Sequence, residues 1–185
     1  MTEQMPKQPS NDGAERAVLG CIFLDRTNIN GASEQLTSSS FYYPRNAYIF
    51  EAMLELDAKG EPIDFQTIVN QLQVKGNLDK VTEAYLYELL NEMYYTSNFQ
   101  SYVDIVKEKA QLRDLIQLGS DIYNRARGEN EESSSILATT EQALLRINEE
   151  RDNTDLTILS QTIPQAIEQI SLLASNKGQL TGLST

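Results

Sequence analysis

Glu88 and Glu92 stand four residues apart inside YLYELLNEM, a spacing that sets two carboxylates on one face of a helix. Paired carboxylates of this kind can serve a di-iron centre, which also draws on a Glu-x-x-His motif. The chain has no histidine. That removes imidazole acid–base catalysis, a Ser-His-Asp triad and imidazole metal ligands together. Glu88 and Glu92 are therefore read as a solvated helix face. Cys21, the single cysteine, follows Gly20 in an apolar helical stretch and reads as a small hydrophobe, not a nucleophile or a zinc ligand. Tyr94 and Tyr95 have the rings that single-strand binders use for base stacking, but no basic cluster accompanies them, so core or interface packing is expected. No G-x-x-x-x-G-K-S/T phosphate loop occurs, so ATP has no cradle in these 185 residues. No catalytic, cofactor-binding or metal-binding residue is assigned.

The elements that must position these residues are helical. Hydrophobic residues make up 40% of the 185, enough for a core, and no apolar run approaches the ~18 residues of a membrane span. MTEQMPKQPSNDG lacks the apolar core of a secretory signal, and one cysteine suits a reducing compartment, so a cytoplasmic setting is expected. The net charge of -12 argues against general affinity for nucleic acid. Only Lys107, Lys109, Arg113, Arg125 and Arg127 form a mildly basic stripe, read as a solvated helix face with local i,i+4 pairs.

Residues 1–11 read as a flexible arm. Asp12 with Glu15 resembles a capping box and predicts a helix over 12–25. A short helical piece is expected over 27–37, and FYYPRN turns into a helix that Lys59-Gly60 stops. Asp64 caps the next helix, which Gly76 ends, and Thr82 caps the one after it. No strand-period alternation appears, so residues 12–96 are predicted to form an all-α globular head.

Ser97 to Arg127 holds no proline and one glycine, and its apolar stripe never lapses. Such a helix is roughly 46 Å long and must project beyond a head of ~100 residues. GENEESS breaks it, and a returning helix ends near Arg151, giving an antiparallel hairpin over 97–151. Leu112, Leu115, Ile116 and Ile122 going out, with Leu137, Leu144 and Ile147 returning, supply more apolar surface than two helices cover mutually. The hairpin is therefore expected to pair with another copy. Residues 152–161 read as a linker and 162–175 as a separate short helix. Its stripe of Ile163, Ile167, Ile170 and Ala174 needs a groove on another protein or subunit. Residues 176–185, ending GQLTGLST, read as a connector.

AERAVLG (14–20), FY…IF..M (41–53), G-x-P-x-D-x-x-T (60–67), YLYEL (85–89) and SN…Y..IV.EK...R.LI (97–116) resemble the N-terminal region of bacterial replicative DNA helicases of the DnaB type. The similarity runs from about residue 12 to the closing T-G-x-x-T, which in that family leads into a RecA-like motor. The resemblance implies a chain cut at a domain boundary, with ATP and Mg belonging to the missing motor of a 5′–3′ helicase. It also implies a non-catalytic collar in which N-terminal domains pair through their hairpins as a trimer of dimers. The linker helix would dock on the neighbouring subunit's motor, and the collar would receive the primase C-terminal domain and, in some bacteria, a helicase loader. Weak or no binding of nucleic acid is expected of this stretch alone, and no membrane contact. Three positions depart from the family pattern: Gly13, Arg16 and Asn46, all expected at the head surface or at helix starts. The competing readings are a stand-alone helical adaptor or loader-like protein, which would have no motor, and an all-α enzyme, against which the missing histidine counts.

Overall fold

The computed structural model describes residues 8–92, 94–128 and 130–148, and these are helical without a strand among them. Helix α1 (Asp12–Leu24) lies at the centre and packs against four other helices. Its cap is Asn11, one residue earlier than expected: the extended Asn11 backbone aims its side-chain oxygen at the Ala14 amide, 3.0 Å away. Glu15 is thereby released from capping and turns inward with Val18, Leu19 and Ile22, which are fully buried.

Helix α2 (Asn28–Ser33) is shorter than the expected 27–37, because Thr37 and Ser40 bond reciprocally and wind residues Ser38–Ser40 into a 3₁₀ turn. Pro44 opens α3 (Pro44–Ala58), where it sacrifices no intrahelical bond. Gly60 ends that helix at φ 71°, a conformation open to glycine, and the amide of Glu61 closes on the Leu56 carbonyl at 2.9 Å. Asp64 and Thr67 cap α4 (Phe65–Val74) reciprocally, each side-chain oxygen accepting the other's backbone N–H at 2.9 Å. A one-turn helix α5 (Leu78–Val81), too short to leave a periodic signal, leads to Thr82. Thr82 holds φ 65° while its hydroxyl accepts the Tyr85 amide and caps α6 (Glu83–Asn91).

A second 3₁₀ turn (Thr96–Asn98) feeds α7 (Phe99–Gly128), which at 30 residues is about 45 Å long. Its first turns belong to the core: Phe99, Val103 and Val106, at i, i+4 and i+7, are buried among α1 residues and the rest of the head. The chain then reverses into α8, helical over 133–148. Arg125 of α7 pairs with Glu131 in the turn at 2.5 Å and donates to the Thr139 hydroxyl of α8 at 2.7 Å, which lays the start of α8 beside the end of α7. The described residues thus form an all-α head and an antiparallel helical hairpin. The chain divides into two compact units between Ala143 and Leu144, and the second contributes only 144–148 to the described residues.

Candidate self-association and docking surface

Beyond Val106, α7 has no fully buried residue, and its apolar side chains separate into two sets. At about 100° per residue, Leu112, Leu115 and Tyr123 fall on the side turned away from Phe99, Val103 and Val106, with Ile116 at its flank. Leu112, Leu115, Ile116 and Tyr123 are 37%, 44%, 52% and 60% exposed. Leu118 and Arg125 lie on a different side and are half-buried at the edge where Arg125 reaches Thr139, and Ile122, also half-buried, stands at the border of the two sets, two turns on from Leu115. The return helix divides likewise. Ile136 is buried and Ala143 and Ile147 are half-buried, whereas Leu137, Leu144 and Leu145 are exposed. Periodicity could not make this separation, because inner and outer residues carry the same apolar signal. The linker-helix residues Ile163, Ile167, Ile170 and Ala174 lie outside the described residues.

Gly119 continues the outer face between Ile116 and Tyr123, with open space where a side chain would stand. The face therefore has a shallow interruption and no charge among its named members.

The basic stripe does not act as a stripe. Arg113 is a tertiary clamp and not a member of a local pair: its guanidinium donates to the carbonyls of Pro9 at 2.9 Å and Ser40 at 2.7 Å and lies 5.7 Å from the Tyr42 ring. One side chain thus fastens the N-terminal approach and the Ser38–Ser40 turn to α7, just beside the outer apolar face. Arg125 is occupied by Glu131, and Arg127 donates to the Tyr123 hydroxyl at 3.3 Å.

The head is held by a polar network that sequence patterns do not reveal. Asn46, expected at the head surface or at a helix start, stands in the first turn of α3 and is fully buried. Its amide nitrogen donates to Glu15 Oε2 at 2.9 Å, and its oxygen accepts the Tyr85 hydroxyl at 2.5 Å. Glu15 also accepts the amides of Tyr42 at 2.8 Å and Tyr43 at 3.3 Å, so one buried carboxylate satisfies the chain entering α3. Burial pushes the Glu15 carboxyl up, although Asn46, the Tyr42 and Tyr43 amides and the charge of Arg113 pull the other way. Arg45 covers the Tyr85 ring at 4.1 Å and pairs with Asp12 at 3.3 Å.

Arg16, the second departure, is also internal to the fold, pairing with Glu92 at 2.6 Å. Glu92 is thus no partner for Glu88. Helix α6 ends at Asn91, the Glu92 backbone turns extended, and its carboxylate joins Arg16 and the Tyr94 hydroxyl, 2.9 Å away. Burial raises the Glu92 carboxyl, and the hydrogen bonds from Arg16 and Tyr94 more than reverse this, leaving it below the usual range. The Tyr94 ring packs over Gly20 and fills the space that a β-carbon there would need. Cys21 is fully buried, and burial pushes its thiol up, away from the reactive thiolate. No group of three or more Cys, Asp or Glu side chains among the described residues is arranged to hold a metal ion.

Comparison with known proteins gives these surfaces a context. The family described as "DnaB-like helicase N terminal domain" matches residues 7–108. The replicative DNA helicase DnaC of Bacillus subtilis is 30% identical over the whole chain, which spans 40% of that helicase. The N-terminal domain of DnaB helicase from Mycobacterium tuberculosis superposes with a TM-score of 0.70 at 27% identity, covering 76% of this chain and 99% of that one. The N-terminal domain of DnaB helicase from Helicobacter pylori, whose structure was described with its interactions with primase, gives 0.56 at 29% identity, covering 62% and 89%. The curated relatives are thus more than twice as long as the stretch they share with it. Helix order, matched motifs and superposition agree: the chain belongs to the DnaB-like helicase N-terminal domain family.

Proposed function

We propose that this chain is a non-catalytic collar module of a replicative helicase, assembling subunits and docking primase in the cytoplasmic replisome. The observation that carries the reading is the outer side of α7, where Leu112, Leu115, Ile116 and Tyr123 stand exposed beyond the turns seated in the head. Leaving such side chains in water forgoes ~1.5–3 kcal/mol each, and a two-fold pair of hairpins would recover much of it. Leu137 on α8 would extend the seam, with Ile122 at its inner border. The H. pylori relative, described with primase, supports a primase-binding role for the assembled form. The stripe of Ile163, Ile167, Ile170 and Ala174 would dock on a neighbouring motor domain, where ATP hydrolysis and DNA unwinding would reside. A loader would use the same collar.

Light scattering on Leu115→Asp, Ile116→Asp and Ile167→Asp tests the assignment. The two α7 variants are expected to fall to monomer with the helical signal intact, because charge at the seam stays solvated in the monomer. Ile167→Asp is expected to keep the wild-type mass. Calorimetry with the cognate primase C-terminal domain should show binding to the assembled wild type and loss with Ile116→Asp. Monomeric Ile167→Asp beside fully assembled α7 variants would reverse the roles given to the two segments.

A further inference from the structure

We infer that the edge formed by α4 and α6 is a second docking surface, built for a basic amphipathic segment of another protein. Its centre is the ring pair Phe65–Tyr87, with centroids 4.3 Å apart and planes inclined by 35°. Tyr87 is 54% exposed, Phe65 is half-buried, and each has an apolar neighbour one helical turn on. Val69 follows Phe65 along α4, and Leu90, 36% exposed, follows Tyr87 along α6. Tyr85, Leu86 and Leu89 already give α6 its buried side, so Tyr87 and Leu90 are surplus to the core. A clustered aromatic and aliphatic surface of this kind is what a partner's apolar anchors fill.

The surrounding charge identifies the occupant. Glu83 lies one turn before Tyr87 on the same helical face, Glu88 follows Tyr87, and Glu61 closes the loop ahead of Phe65; all three are exposed. None forms an ion pair among the described residues. The described cations of residues 8–96 are engaged elsewhere. Arg16 pairs with Glu92, Arg26 with Asp57, Arg45 with Asp12 and Lys75 with Glu55, while Lys59 bonds Gln71 and Lys80 lies on Tyr48. The aromatic pair is therefore rimmed by uncompensated negative charge. A second copy is a poor occupant, because a two-fold contact would set Glu83 and Glu88 near their own images. Nucleic acid is repelled for the same reason. An apolar anchor flanked by Lys or Arg satisfies both the rings and the rim.

Fluorescence anisotropy of the 185-residue chain with labelled helical peptides of about 18 residues tests this. The probes are a Leu/Lys amphipathic peptide, its Leu/Glu counterpart and oligolysine of equal length. The Leu/Lys peptide is expected to bind, and Tyr87→Ser and the pair Glu83→Lys with Glu88→Lys are each expected to weaken it about tenfold. Leu115→Asp, on the separate α7 face, should leave its affinity unchanged. Oligolysine should respond to the charge reversals and not to Tyr87→Ser. Tyr87→Ser also gives up the Phe65 ring pair, so its thermal unfolding is followed alongside, and a variant still folded at the assay temperature makes the loss one of contact. Equal binding of the Leu/Glu peptide, or a Leu/Lys affinity untouched by Tyr87→Ser, overturns the inference. So does a Tyr87→Ser chain whose mass drops by light scattering, since a second copy would then be the occupant.

Discussion

The Tyr85 hydroxyl donates to Asn46 Oδ1 over 2.5 Å inside the head, tying α6 to α3 across 39 residues of sequence. Asn46 in turn donates to Glu15 of α1, so three helices meet through three side chains. Tyr85→Phe removes only the oxygen and leaves Asn46 Oδ1 buried without its donor. The expected cost is about 1–3 kcal/mol, read as a lower urea midpoint with an unchanged slope. A neutral Tyr85→Phe would mean that the Asn46 oxygen finds another donor.

Two carboxylates should give stability opposite dependences on pH. The Glu15 carboxyl is raised by burial, so its contribution is fully present in acid and is lost as pH rises through the raised value. Glu92 is lowered on balance by Arg16 and Tyr94 against burial, so its contribution is present above the ordinary carboxylate range and lost as pH falls through the depressed value. Urea unfolding of wild type, Glu15→Gln and Glu92→Gln across the acidic range checks the signs. The stability difference from wild type should shrink with rising pH for Glu15→Gln and grow for Glu92→Gln. Matching slopes for the two variants would contradict the environments described.

Gly20 and Tyr94 form a close contact that no side chain at position 20 can preserve, because the ring occupies the place of the β-carbon. Gly20→Ala should expel Tyr94 and cost about 1–3 kcal/mol, despite alanine's better helix propensity. Adding Tyr94→Ala should cost less on that background than in wild type, a coupling that a double-mutant cycle measures. Strict additivity would show that Tyr94 does not sit over Gly20 in solution.

Local signals carried the helix boundaries well where a single residue type decides them. Asp64 and Thr82 cap where their carboxylate or hydroxyl oxygens meet free amides, and Gly60 and Gly76 stop helices at φ 71° and 69°. The interior polar residues were opaque for a physical reason. Glu15 near a helix start is the pattern of a capping box, and only the neighbouring Asn11 and the distant Tyr42, Tyr43 and Asn46 donors turn it inward. Asn46 and Arg16 read as head-surface or helix-start residues, and their inward engagement has no local signal because their partners, Tyr85 and Glu92, lie 39 and 76 positions away. On α7 the apolar stripe was visible, but which side faces the head and which faces out depends on packing against α1 and α8.

The clamp at Arg113 has a mechanical consequence. Below it α7 is seated in the core, and from Arg113 to Gly128 the same helix runs on for about 22 Å without a break. A tilt of roughly 5° about that anchor sweeps the far end through about 2 Å, by the geometry of a rigid rod. Pro9 and Ser40 therefore act as the fulcrum of a lever, and a small disturbance of either would be magnified at the tip.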